Sequence, residues 1–144
     1  MNMIYKKTWK YILIKDEYYE YLLYRPKAIK DFSNIHKNDI GGFIRGYHNL
    51  SQFGDCWVYD KALVCENARV SENAQIMNNA CICENAIISG YAEIFEFALI
   101  SGNAKVIENA QVSGRAKVSG NAKVLSNAII AGNADVYGNT IITD

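Results

Sequence analysis

The side chains with chemistry to offer in this 144-residue sequence are two histidines, four cysteines and a band of aromatic residues. His36 and His48 are the sole candidates for a general base that titrates near neutral pH. Neither belongs to a Ser/His/Asp set or a Cys/His pair, and no Gly-rich phosphate loop is present. His48 is the better placed of the two, because it lies closer to the regular part of the chain described next. Cys65 and Cys83 stand eighteen residues apart, Cys81 lies beside Cys83, and Glu66 and Glu84 follow two of these thiols directly. If a fold stacks residues eighteen apart, three thiols and two carboxylates come within reach of one another and could hold zinc. The competing reading is that Cys65, Cys81 and Cys83 are small apolar residues on a covered face that also carries Leu63 and Leu99. The second reading is preferred, and neither metal nor cofactor is expected. The aromatic band comprises Trp57, Tyr59, Tyr91, Phe95 and Phe97, with Met77 among them.

What must position these residues is a six-residue repeat. Val or Ile occupies every sixth position from Val58 to Ile142, and two residues ahead of each stands a small residue: Cys56, then Ala62 and each sixth Ala to Ala134, then Thr140. A helix turns by about 600° in six residues, so successive Val/Ile would point to different sides. The β-branched monopoly argues against helix as well. Six residues suit a short strand and a corner. Three such hexads close a triangular coil, and coils stack by parallel pairing about 4.8 Å apart. Each buried Val or Ile contributes roughly 1.5–3 kcal/mol, so the repeat can supply a whole core without large hydrophobes.

Between strands the hexads often read Ser-Gly-Asn or Ser-Glu-Asn, as in Ser71-Glu72-Asn73 and Ser101-Gly102-Asn103. Gly and Asn tolerate the positive φ that a sharp corner demands. Eighteen residues per coil predict Asn67, Asn85, Asn103, Asn121 and Asn139 above one another as an amide ladder. The same grouping predicts three outward faces. One carries Trp57/Tyr59, Gln75/Met77 and Glu93/Phe95, bracketed by the corner residues Tyr91 and Phe97. A second carries the three cysteines, and a third is mixed and mildly basic. No face shows the regular rank of Thr that ice binding would use.

The spacing is similar to the hexapeptide pattern of left-handed β-helices. Gly41-Gly42-Phe43-Ile44, then Asn49-Leu50-Ser51-Gln52-Phe53-Gly54-Asp55-Cys56-Trp57-Val58-Tyr59-Asp60, resembles the lead-in motif of the YdcK-like hexapeptide-repeat proteins, and Lys30-Asp31-Phe32 fits the same pattern. The resemblance covers roughly residues 18–144. It implies a left-handed sense of winding, although Gly here falls two residues after the Val/Ile rather than directly after it. Proteins of this kind are often described as transferases. Hexapeptide acyltransferases use a His in a cleft between subunits, often beside a loop thrown out from a coil. Here no hexad carries a loop, and both histidines precede the regular coils.

The expected fold is therefore all-β: a parallel β-helix of five to six coils over residues 44–144, with an N-terminal β cap over residues 1–43. Ile44, Leu50 and Cys56 fall in the register of the Ala column, so 44–55 reads as a distorted first coil. In the cap, Tyr11–Ile14, a turn at Lys15–Glu17 and Tyr18–Tyr24 predict a Tyr-rich hairpin, with Pro26 ending its second strand or lying on an edge. Ala28–Phe32 offers one further strand. Tyr suits a cap because its ring covers apolar surface while its hydroxyl stays wet. The last coil has no cap in the sequence, so its open edges are expected to meet a partner or to be tolerated because they are short.

Formal net charge is zero, which argues against general nucleic-acid binding and a polybasic membrane role. The balance is uneven: residues 1–45 hold nine Lys/Arg and five Asp/Glu, residues 46–144 six and ten. A basic cap can dock on an acidic solenoid, its own or a neighbour's. No apolar run reaches the ~20 residues of a membrane span, and Met1–Lys7 has no signal-peptide core, so a cytoplasmic location with reduced thiols is expected. An outward aromatic strip adds nothing to a solenoid core. It marks the place where the cap folds back, an oligomer interface, or a surface for another protein. The function expected is a non-enzymatic scaffold or interaction module that binds a protein partner or itself. The alternatives are a divergent acyl-CoA-dependent acyltransferase using His48 at a subunit interface, and a small phage or mobile-element inhibitor of a host system.

Overall fold

A computed structural model describes residues 8–16 and 22–144. The described residues begin with an antiparallel pair, β1 (Tyr11–Asp16) and β2 (Leu23–Ala28), followed by β3 (Phe43–Ile44). Then come two-residue strands every six residues, from β4 (Trp57–Val58), β5 (Leu63–Val64) and β6 (Arg69–Val70) to β16 (Ile129–Ile130), β17 (Asp135–Val136) and β18 (Ile141–Ile142). Every third strand shares a sheet. One sheet runs from β4 to β16, a second from β6 to β18, and a third from β5 to β17. All the pairings within these runs are parallel and offset by eighteen residues, as in Val58↔Ile76 and Ile76↔Ile94. The described residues thus form a parallel β-solenoid of about six turns with almost no helix.

The interior is the one the repeat predicts. Val58, Ile76, Ile94 and Val112 are fully buried, as are Ala62 to Ala122 at nearly every sixth residue. The corners differ from expectation in one respect. From Asp60 to Gly138, every sixth residue has φ between +52° and +67°, and this is the residue two after the Val/Ile, not the Asn that follows it. Gly fills that place at 90, 102, 114, 120, 132 and 138, while Glu holds it at 66, 72, 84, 96 and 108. The offset of Gly from the Val/Ile is therefore the offset of the left-handed residue itself. Several corners are tied together by side chains of these same residues. The Asn78 and Ser126 amides donate to the Asp60 and Glu108 carboxylates, and the Glu96 amide to the Asn78 carbonyl. In the predicted Asn ladder, Asn103 Nδ2 donates to Asn121 Oδ1 at 3.4 Å.

The first coil has a different register from the one read off the spacing. Ile44 pairs with Val64 and Leu50 bridges to Val70, each twenty residues on. Both side chains thus continue the Val/Ile column, not the Ala column. Cys56 keeps its predicted place, since Trp57 pairs with Gln75 at an offset of eighteen. Two extra residues therefore lie between Leu50 and Val58. A 3-10 turn, Tyr47–Asn49, makes the corner before them. It is fixed by buried Asn49, whose Nδ2 donates to the Glu66 and Ala68 carbonyls while Oδ1 accepts from the Arg45 and Gly46 amides.

In the cap, the second strand of the hairpin lies downstream of the expected Tyr18–Tyr24. It spans 23–28; residues 17–21 of the expected turn and strand lie outside the described residues. Pro26 stands inside this strand, opposite Leu13, and does not end it. Its carbonyl accepts from the Gly41 amide, but it has no N–H to return to the Gly41 carbonyl. Arg25 Nε donates there instead, at 2.9 Å. Ala28 closes β2 and does not begin a further strand; the backbone bends at Ile29 and Lys30, and Phe32 and Ile35 pair across a tight turn. At Gly41 and Gly42 the chain crosses close to the first coil, where a Cβ would meet the Val58 and Ala62 carbonyls at 2.5 and 2.7 Å. β3 then pairs with both β2 and β5, so cap and solenoid share one sheet.

Candidate functional site

The aromatic face divides into a covered and an open half. Trp57 is only 1% exposed. Tyr11 of β1 and Phe32 of the following turn meet its ring edge-on, at centroid distances of 6.0 and 5.3 Å. Tyr59 is half-buried beside them, its hydroxyl 3.2 Å from Asn34 Oδ1. Burial and the neighbouring Asp55 and Asp60 raise the phenol above its ordinary pKa against the opposing Asn34 bond. So the cap folds back at Trp57 and Tyr59. One coil and two coils further on, Met77 and Phe95 are half-buried, while the corner residues Tyr91 and Phe97 are 65% and 53% exposed. The Arg115 guanidinium lies 4.7 Å over the Phe97 ring and holds it against the wall. Phe97 borders an open groove of about 550 Å³ with Asp60, Lys61, Asn78, Asn79 and Glu96.

Polar groups absent from the sequence reading lock the cap. The Gln52 amide works as a strand partner for β1: Oε1 accepts from the Lys10 and Tyr11 amides, and Nε2 donates to the Tyr11 carbonyl. Tyr11 is fully buried, and its hydroxyl donates to the Leu50 carbonyl. Lys10 is buried too, its Nζ donating to the Gly54 and Cys56 carbonyls and standing 3.3 Å from the Cys56 sulfur. Burial pushes the Lys10 pKa down and those of Cys56 and Tyr11 up. The one available signal for Gln52 was the break in the repeat between Leu50 and Val58, where Phe53 is also 75% exposed.

The three outward cysteines come together as the spacing predicts, and all are free thiols. Cys65 stands one coil from Cys83 in register, and Cys81 lies two residues before Cys83 on the same edge. Among the described residues no group of three His, Cys, Asp or Glu side chains is arranged to hold a metal ion. His48 is exposed at the first coil, and its Nε2 lies 2.7 Å from the Glu66 carbonyl, an acceptor, so Nε2 carries the proton and Nδ1 is left with the lone pair. It borders a groove of about 340 Å³ with Asn67, Arg69, Asn85 and Ile87. His36 is exposed in the cap turn and contributes its backbone amide to Asp39. No protein-family model and no curated protein matches this chain. No helix among the described residues is long and apolar enough to cross a membrane.

Proposed function

We propose that this chain is a β-solenoid interaction module of the hexapeptide-repeat kind that engages a protein, another or a second copy of itself, through Met77, Tyr91, Phe95 and Phe97. The observation that carries this reading is the division of the aromatic face. The cap buries Trp57 and half-buries Tyr59, yet leaves Tyr91 and Phe97 open on the two corners that flank Phe95. Aromatic anchors on a rigid wall lose little conformational freedom on binding and supply a disproportionate share of interface energy. The acidic and basic groups around Phe97 supply the polar rim such contacts use. The test is the double variant Tyr91→Ser/Phe97→Ser, followed by light scattering and by titration against whatever protein co-purifies with the parent. Loss of the parental mass or of that complex, with an unchanged melting temperature, supports the reading. Retention of both removes its basis.

A second reading has one observation in its favour. Nδ1 of His48, the ring nitrogen not engaged by the Glu66 carbonyl, in a groove that also holds Arg69, is the equipment of a general base beside an anion. Acyl transfer at this place predicts stoichiometric acyl-CoA binding that is lost in His48→Ala. Calorimetry with acetyl-CoA decides it, and the module reading expects no heat.

A further inference from the structure

The cysteines on the second face make a different case, independent of the aromatic surface. Cys65 follows β5, and Cys81 and Cys83 flank Ile82 on β8 (Cys81–Ile82). The pairing Leu63↔Cys81, Val64↔Ile82 and the 2.9 Å bond from the Cys65 amide to the Ile82 carbonyl set Cys65 beside Cys83, one coil step away. Because Val64 and Ile82 point inward, all three thiols point outward, and each is half-buried. We propose that Cys65 and Cys83 are a peroxide-reactive pair that closes to an intramolecular disulfide, with Cys81 as the neighbouring thiol that assists the attacking sulfur.

Geometry selects the pair. In-register neighbours on parallel strands stand about 4.8 Å apart at Cα, inside the range of roughly 4.4–6.8 Å that a disulfide spans. Cys81 lies two residues back along its strand, on a diagonal of roughly 8 Å from Cys65, too long to bridge without backbone movement. The neighbouring Cys81 thiol and the positive field of Arg45 hold the Cys65 thiol below its ordinary pKa, against burial and the repulsion of Glu66. Cys83 is pushed up to about 11 by burial and by Cys65, Glu66 and Glu84, and Cys81 is raised as well. Of the three thiols, Cys65 is the one whose thiolate is most favoured.

The co-reactant is hydrogen peroxide. The Cys65 thiolate attacks one peroxide oxygen and the O–O bond breaks. Hydroxide leaves and takes a proton to become water, and the sulfur becomes a sulfenic acid. The Cys83 sulfur then attacks the sulfenic sulfur, and its proton departs with the hydroxyl as a second water. Two thiols lose two electrons, and one peroxide is reduced to two waters. Cys56 takes no part, since it is fully buried beneath the cap beside Lys10.

The experiment treats the reduced protein with a few equivalents of hydrogen peroxide, counts free thiols and maps tryptic peptides without reduction. The expected product has two free thiols in place of four, a mass 2 Da lower, and a link between peptides 62–69 and 70–105. Cys65→Ser and Cys83→Ser should each abolish the link. Cys81→Ser should keep it but form it several-fold more slowly, at a rate whose midpoint in pH is shifted upward. Sulfinic acid without a link, a link retained in Cys83→Ser, or links only between chains overturns the proposal. Equal rates and pH midpoints for parent and Cys81→Ser overturn the role of Cys81.

Discussion

Ala104→Leu tests whether the Ala column is a filled interior wall. Ala104 is fully buried, its carbonyl accepts from the Ile87 amide of one coil, and the next coil places Ala122 at the same position. The coil spacing is set by these backbone bonds at about 4.8 Å, so the wall cannot open to admit a larger side chain without breaking them. Leu adds three carbons. Were the space vacant, burying them would stabilise the protein by about 2.4 kcal/mol at ~0.8 kcal/mol per carbon. In a filled space they force off-rotamer side chains and backbone shifts, at about 1–3 kcal/mol of destabilisation. An exposed site would move stability by no more than about 0.5 kcal/mol either way. The three cases differ in sign or lie outside one another's range, so urea melts of parent and variant at one temperature separate them. A midpoint clearly below the parent's, at an unchanged slope, is the expected result. An equal or higher midpoint would show that Ala104 does not line a packed interior.

Other expectations follow from the corners and the cap. Gly120→Ala should cost about 1–2 kcal/mol, because φ is +65° and the new Cβ would lie 2.8 Å from the Gly138 amide nitrogen; a denaturant midpoint equal to the parent's would refute it. Gln52→Ala strands the Lys10 and Tyr11 amides and should raise hydrogen exchange across β1 while leaving β10 (Glu93–Ile94) protected. Trp57→Ala should cost about 3–5 kcal/mol by leaving a cavity between cap and wall, measured by the same urea melts. The alkaline limb carries two opposed contributions. The folded state releases the Lys10 proton earlier than the unfolded chain does, so rising pH first relieves that burial. Tyr11 keeps its proton longer when folded, so stability falls once pH passes about 10 and the unfolded phenol ionises. Tyr11→Phe should therefore flatten the loss of stability above that pH, and an unchanged slope would contradict the assignment.

The solenoid was legible because a strict period leaves no choice of strand position or facing. Once Val58, Val64 and Val70 are each placed inward, the pairing partner of every residue follows by adding eighteen. The first coil was not legible for an equally specific reason. Ile44, Leu50 and Cys56 keep the six-residue spacing by coincidence, and only the pairings Ile44↔Val64 and Leu50↔Val70 expose the two added residues. The three cysteines were brought together by arithmetic alone, whereas Lys10 had no local mark at all. The carbonyls that accept from its Nζ lie more than forty residues away, and a lysine in a polar stretch reads as surface. The corner error has a physical origin too. Asn tolerates positive φ better than Glu, so local preference favoured the wrong residue of the Glu-Asn pair; the stacking of coils fixes which one turns.

The division of the aromatic face follows from how far the cap can reach. β3 joins the solenoid sheet through β5, and the turn at Phe32–Ile35 comes down on Trp57 and Tyr59, the first rung of the neighbouring face. Two coil steps, about 9.6 Å, separate that rung from Phe95. Folding therefore accounts for aromatic residues at 57 and 59 and gives no reason for them at 91, 95 and 97. Further along the same face the residues in register with Phe95 are small, Ser113 and Ala131, and the wall there remains intact, with Val112 and Ile130 buried beneath them. The inward column is the same throughout, so the wall's stability does not depend on what stands outside it. Rings at Tyr91 and Phe97 are costly in exposed apolar area and unused by the core, and that cost is the ground for the proposed contact with a protein partner.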